Sequence, residues 1–373
     1  MKKERILTIV FCSFILIFSV LTILLPKKAE SANEKRVLAS FPEVSLKTIT
    51  DGSFMTGFDT YVADHFAFRD KWVGAYAYAT KAVGLNGING VYAGKDGYLI
   101  AAPMKYSDEF AKKNISNLLT FADNNDISCT LLVVPSTGYI LDDKLPKFHK
   151  DYYDDELFET IKKETEANKN FSFIDTRDTI KEEASRSTPL YYRTDHHINS
   201  YGALLLYNEY CKAKGLTPEK FSLTRTYSDF YGTSYSKSGL WLTKPDNVDV
   251  YEAKEPSDFT VTIDGKDYDS LYFPEKLKTA DKYEYFLNGN HALTVIKNNS
   301  NENGQKLLLI KDSFSHCFAT YLAENYEEIV MVDLRYYRDS TSALIDEYGI
   351  TDVLFLYGTE NMATSTDFGW LNY

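Results

Sequence analysis

Ser313 stands in the stretch Lys311-Asp312-Ser313-Phe314-Ser315, directly after the apolar run Leu307-Leu308-Leu309-Ile310. A serine on the turn between a strand and the next helix is presented to solvent, and N–H groups at the helix start can stabilise an oxyanion. Its hydroxyl becomes a nucleophile beside a base that is itself oriented by an acid. Asp195-His196-His197 supplies both residue types on one turn, with Asp195 and His197 in Asp-x-His spacing. A third stretch, Leu354-Phe355-Leu356-Tyr357-Gly358-Thr359-Glu360-Asn361, again ends a strand in a loop. There Gly358 gives backbone freedom and Asn361 offers a side-chain N–H to an oxyanion. Each stretch also has a plainer reading. Asp312 or Ser313 can cap a helix, the histidines can lie exposed on a loop or bind a metal, and Gly-Thr-Glu-Asn is an ordinary surface turn. Metal is disfavoured, because neighbouring side chains point apart and no His-x-x-x-His or Glu-x-x-His partner is evident. The expectation is a Ser–His–Asp site for acyl transfer, with no metal and no cofactor.

Such groups converge only if strand ends meet. Apolar runs at Ile127 to Val134, Phe171 to Asp175, Lys306 to Ile310, Ile329 to Asp333 and Asp352 to Leu356 alternate with helical stretches at Ser107 to Asn124, Asp154 to Asn168, Asn199 to Lys214, His316 to Glu324 and Ser342 to Tyr348. Alternation of this kind predicts an α/β fold, a parallel sheet covered by helices on both faces, with active groups at the carboxyl ends of the strands. Before it, Asp59 to Gly84 carries helical periodicity and Val91 to Ile100 reads as a hairpin around Lys95-Asp96-Gly97. Between about Thr217 and Tyr285 the chain turns rich in Tyr, Ser, Thr, Asp and Gly, with alternating runs such as Phe259-Thr260-Val261-Thr262-Ile263. The expected organisation is an anchor at 1–32, an aromatic-rich segment at 33–105 packing on the main domain, the α/β domain at 106–216 and 286–373, and a β-rich insertion at 217–285.

The N-terminus sets the compartment. Lys2, Lys3 and Arg5 precede an uninterrupted apolar run from Ile6 to Leu25 that is broken by Pro26. Its length suits one transmembrane helix, and Ala29-Glu30-Ser31-Ala32 is a poor cleavage site because Glu30 sits where a small residue is wanted. A basic start followed by a long domain places that domain outside the cell, on a single-pass anchor in the cell membrane. The formal net charge of -12, without a Lys/Arg cluster, argues against nucleic acid. Cys129, Cys211 and Cys317 are widely spaced and make neither a disulfide framework nor a zinc pattern. The 29 Tyr and 23 Phe suit either carbohydrate contact or an aromatic core. Tyr227, Tyr231, Tyr235 and Trp241 in the insertion are candidates for the former.

Set together, these blocks resemble the DHHW protein family and the related alginate O-acetylation proteins, which carry an SGNH-hydrolase-like domain in permuted order. The resemblance runs over Asp64-His65-Phe66-Ala67-Phe68-Arg69-Asp70, Gly94-Lys95-Asp96-Gly97-Tyr98-Leu99, Tyr191-Tyr192-Arg193-Thr194-Asp195-His196-His197 and Leu309-Ile310-Lys311-Asp312-Ser313-Phe314. It implies Ser313 as nucleophile, His197 as base, Asp195 as orienting acid, and an oxyanion hole near Gly358 to Asn361. Three departures stand out: Lys311 replaces a Gly, Ile198 replaces the Trp of the motif, and the Asn block holds one extra residue. Where a further Gly block is expected the chain reads Asp333-Leu334-Arg335-Tyr336-Tyr337, making Arg335 and Tyr336 candidate substrate contacts. The implied activity is O-acetylation of a cell-surface or exported polysaccharide, served by a membrane-embedded partner that passes acetyl groups outward. A carbohydrate acetylesterase with the same triad, a non-catalytic polysaccharide-binding or assembly protein, and a metal-dependent hydrolase using His196 and His197 are the competing expectations.

Overall fold

A computed structural model describes residues 2–186 and 188–372. Two short antiparallel pairs, Glu30–Ser31 with Arg36–Val37 and Val91–Ala93 with Leu99–Ala101, precede β1 (Cys129–Val134), β2 (Phe171–Ile174), β3 (Phe221–Phe230), β4 (Asp246–Ala253) and β5 (Phe259–Ile263). The strands continue with β6 (Lys266–Tyr268), β7 (Leu293–Asn298), β8 (Lys306–Lys311), β9 (Glu328–Val332) and β10 (Asp352–Gly358). Eight of them form one sheet in the order β6-β5-β7-β9-β8-β10-β1-β2. From β9 to β2 every neighbour is parallel, whereas β7, β5 and β6 extend the edge antiparallel. The sheet is therefore mixed, and part of the Tyr-rich stretch belongs to it. The rest of that stretch forms a separate ribbon, β3 paired with β4.

The central strands are apolar without alternation because both faces are covered. Leu132, Val134, Leu307, Leu309, Leu354 and Leu356 point to one core, and Leu131, Val133, Leu308, Ile310, Val353 and Phe355 to the other. The helices include α1 (Lys2–Leu24), α2 (Ser53–His65), α3 (Arg69–Ala82), α4 (Asp108–Asn125), α5 (Asp154–Thr165), α6 (Ser200–Lys214), α7 (Thr233–Ser238), α8 (Ser315–Leu322), α9 (Thr341–Tyr348) and α10 (Thr359–Thr364). Helices α6 and α8 cover the first face with Leu206, Tyr207 and Phe318. Helices α4, α5 and α9 cover the second with Leu118, Phe158 and Leu344. Ser107 caps α4 through the Phe110 N–H, and Asn199 caps α6 through the Gly202 N–H.

Parallel register brings the carboxyl ends of β1, β8, β9 and β10 to one edge, with Ile310 opposite both Val332 and Phe355, and Gly358 opposite Val134. The loops leaving these strands carry Ser313, Asp333–Arg335 and Gly358–Asn361. The N-terminal half differs from expectation at one point: the helix anticipated from Asp59 to Gly84 is two helices, α2 and α3. Phe68 adopts a left-handed conformation with φ 60°, and the chain turns a corner there. Helix α1 contains a 22-residue span, Lys3–Leu24, long and apolar enough to cross a membrane, with mean hydropathy 2.8 and none of it buried.

Candidate active site

The Asp195 turn is fixed from three sides. Tyr191 and Ile198 bridge its two ends. Ile198, which stands where the motif has Trp, is fully buried. Asp246 on β4 accepts from the Thr194 N–H at 2.7 Å and the Thr194 hydroxyl at 2.6 Å. Gly232 lies so close that a Cβ there would fall 2.1 Å from the Asp195 Cβ. Held this way, Asp195 Oδ1 accepts from His197 N at 2.9 Å and from His197 Nδ1 at 2.5 Å. Its Oδ2 accepts from the Thr233 N–H at 2.6 Å. Burial alone would raise the pKa of this carboxyl, but the two neighbouring histidines and these N–H groups outweigh burial and hold it well below the ordinary value. With Nδ1 donating to Asp195, His197 Nε2 is free to accept, and Ser313 Oγ lies 2.7 Å from it. The three side chains that the sequence singled out are thus in contact.

Ser313 itself sits on the tight turn between β8 and α8. The preceding residue organises that turn: Asp312 Oδ1 accepts from the Phe314 N–H at 2.9 Å, while its Oδ2 accepts from the Gly358 N–H at 2.9 Å and Asn361 Nδ2 at 2.8 Å. Burial raises the Asp312 pKa, against the pull of these three donors. Gly358 and one hydrogen of Asn361, expected as oxyanion donors, are therefore occupied by Asp312. The Ser313 N–H has no acceptor among the described residues, and the second hydrogen of the Asn361 amide is still available. A Cβ on Gly358 would meet the Phe314 ring at 2.5 Å, so this position demands glycine for space.

Aromatic walls complete the cleft. The Tyr283 ring stacks on His197 at 4.2 Å and 11°, and its hydroxyl donates to the Ser313 carbonyl at 3.2 Å. Phe314 meets His197 edge-on at 5.0 Å. His196 packs beside His197 and places Nδ1 2.6 Å from the Thr233 hydroxyl. Asp195, His196 and His197 are close enough together to hold a cation. However, the facing atoms of all three already have hydrogen-bond partners in Thr233, Ser313 and one another, so a cation would displace those bonds.

Lys311, in the position of a Gly, is buried with its Nζ 3.2 Å from Asp333 and 3.0 Å from His316 Nε2. Burial lowers its pKa while Asp333 opposes the shift. Arg335 grips the same Asp333 with Nε at 2.9 Å and a terminal nitrogen at 2.6 Å, and lines the cleft. Tyr336 does not line the cleft; its half-exposed ring lies under the Arg335 guanidinium. Tyr227, Tyr231, Tyr235 and Trp241 likewise do not line the cleft. Tyr231 and Tyr235 pack on each other, and Trp241 covers Gly74 of α3. The cleft measures about 590 Å³, and Glu360 and Asn361 both face it, together with Asp281, Asn290 and His316. Sequence reasoning missed Gly232, Thr233 and Tyr283. Nothing local marks them, since each acts only once a distant segment folds against Asp195 or His197.

Residues 165–332 match the family model described as DHHW protein, and residues 98–226 match that of the SGNH hydrolase-like domain of acetyltransferase AlgX. The DHHW resemblance holds. A DHHW family protein from Eubacterium siraeum has a similar structure, with TM-score 0.62 and 23% identity, covering 76% of this chain and 97% of that one. Bacillus cereus PatB1, solved with a sulfonyl adduct, gives TM-score 0.61 and 20% identity over 74% of this chain and 97% of its own. At these identities the likeness shows the fold alone, and the SGNH-hydrolase-like description comes from the family model over residues 98–226. No curated protein sequence matches the chain.

Proposed function

We propose that the chain is an extracytoplasmic O-acetyltransferase that acts on a cell-surface or exported polysaccharide through an acyl-serine on Ser313. The observation that carries this reading is the Ser313 Oγ–His197 Nε2 contact of 2.7 Å, continued by His197 Nδ1–Asp195 at 2.5 Å. The match to an acetyltransferase domain over 98–226 supports the class of group transferred, and α1 supports attachment to a membrane.

In the first half-reaction Ser313 Oγ attacks the acetyl carbonyl while His197 Nε2 takes its proton. The Ser313 N–H and the spare Asn361 hydrogen receive the developing oxyanion. Collapse expels the donor's leaving group, which recovers the proton from His197. In the second, a sugar hydroxyl gives its proton to His197 and attacks the acetyl-serine, forming the new ester and restoring Ser313. Asp195 keeps His197 in the right tautomer throughout. A membrane-embedded partner would supply acetyl groups from the other side, and this chain needs neither metal nor cofactor for either step.

The test is to incubate the full-length protein in detergent with an activated acetyl ester, with and without oligosaccharide. Acetylated sugar should appear, and a trapped intermediate should carry its acetyl group on the peptide containing Ser313. Free acetate alone at every acceptor concentration would make the protein an esterase. An unlabelled Ser313 with full turnover would end the acyl-serine reading.

A further inference from the structure

The corner between α2 and α3 touches the apolar helix α1 well inside its length. Phe18 stacks on Phe66 at 5.7 Å and meets Trp72 at 5.5 Å, and Phe14 meets Trp72 at 6.2 Å. At a rise of 1.5 Å per residue, Phe18 and Phe14 lie about 9 and about 15 Å before the end of α1 at Leu24. If α1 spans a bilayer, the corner is carried to the outer edge of its acyl chains. Irregular backbone at that depth needs its polar groups satisfied from within the protein. At the centre of the corner both groups of Ala67 are paired: the Thr22 hydroxyl accepts from Ala67 N at 3.0 Å, and Trp72 Nε1 donates to the Ala67 carbonyl at 3.2 Å.

The side of α3 next to α1 is apolar and remains partly exposed. Phe68, Trp72 and Tyr76 follow at i, i+4 and i+8 and are 47%, 43% and 66% exposed, a single stripe down α3. Val83 and Leu85 continue the exposed apolar surface just beyond it, and Phe41, Val44, Leu46, Ile49 and Met55 are exposed on the segment before and within α2. Trp and Tyr at the edge of a stripe, with charges such as Lys71 beside them, are the composition of helices that lie in a membrane interface.

We propose that α2, α3 and the chain leading into them form a collar embedded in the interfacial layer of the bilayer around α1, with lipid as its occupant. The proposal rests on reading Lys3–Leu24 as a membrane anchor. The chain that leaves the anchor also sets an upper limit on the height of the catalytic cleft. Lys35, downstream of the anchor, lies 3.7 Å from Asp281 of the cleft, and a fully extended chain from Leu24 to Lys35 spans at most about 40 Å.

The test uses the full chain with Trp241→Phe and Trp370→Phe, leaving Trp72 as the one tryptophan, in phosphatidylcholine vesicles brominated on their acyl chains. Trp72 should lose roughly half or more of its emission, as expected for an indole at the membrane interface. Carbonate extraction run in parallel reports on the anchor alone, and ester turnover of the same variant reports on the active site. Undiminished emission from a protein that resists extraction overturns the collar and leaves the anchor standing. Release by carbonate removes both. Undiminished emission in vesicles, with Trp72 protected from a water-soluble oxidant in native membranes, assigns the surface to a protein and not to lipid. Should the double variant fold poorly, amide exchange over 66–85 in the unaltered chain gives the same decision: slowing in nanodiscs relative to a short-chain detergent supports the collar, and equal rates overturn it.

Discussion

Asp195 is the residue on which the chemistry and the titration behaviour both turn. Its carboxylate is favoured in the folded state, so its folded pKa lies below its unfolded value, near 3.9. The stabilisation it provides is therefore complete above that value and is lost as pH falls through the lower folded one. The melting-temperature gap between Asp195→Asn and the unaltered protein should stay constant from neutral pH down to about 5 and close at more acid pH. Turnover of the same variant should fall by about 10⁴-fold, because an amide can donate to Nδ1 and so favours the wrong tautomer of His197. Ser313→Ala should lose at least as much while melting normally, and an acyl-enzyme signal persisting in that variant would contradict the assignment.

At the scale of elements, one close approach holds the acid of the site in place, and it can be tested by a single methyl group. Gly232, at the start of α7, has ordinary extended backbone at φ −88°, so an alanine there is penalised by collision with Asp195 and not by torsion. Gly232→Ala should destabilise by about 1–3 kcal/mol and cut turnover at least as severely as that loss implies, read by urea unfolding and ester hydrolysis. The cluster behind β8 makes a second prediction. Asp333 holds two cations, so Asp333→Asn strands Lys311 and Arg335 together and should cost about 3–5 kcal/mol. Lys311→Met leaves Arg335 on Asp333 and should cost less than half of that, measured the same way. Burial and Lys311 hold the His316 pKa well below its ordinary value, so the unfolded chain takes up this proton first and stability should also decline as pH falls through about 6.5.

These elements also show what was legible beforehand. Strands β1, β8, β9 and β10 are continuous apolar runs, and no other short structure explains them, so the α/β layers and the position of Ser313 at a strand end could be read directly. Asp195 and His197 are sequence neighbours and needed no knowledge of packing. The corner at Phe66-Ala67-Phe68 was invisible because it contains neither Gly nor Pro and the helical period runs through it; the turn depends on contacts with α1. The strand at Phe259 to Ile263 was visible, but not its partner, since alternation shows a half-buried strand without saying which sheet buries it. Tyr283 was hidden for a related reason: among so many tyrosines, only the stack on His197 sets it apart.

For the whole molecule, the prediction is of attachment. The full chain should remain in membranes through carbonate extraction, and a chain lacking residues 2–24 should leave the membrane fraction or bind it only weakly through the remaining apolar collar. Ester turnover by the soluble form, with acetyl transfer to polysaccharide lost in cells, would separate the chemistry from its placement.

The Lys35–Asp281 contact has a final consequence, in terms of concentration. If Lys3–Leu24 spans a bilayer, the cleft is held within about 40 Å of it and shares a thin layer with everything else confined there, which corresponds to effective concentrations in the millimolar range. A donor partner in the same membrane then needs only millimolar intrinsic affinity to be engaged most of the time. Mixed in solution at micromolar concentration, the two separated domains should show no complex, while the same pair restored to one membrane should pass acetyl groups efficiently.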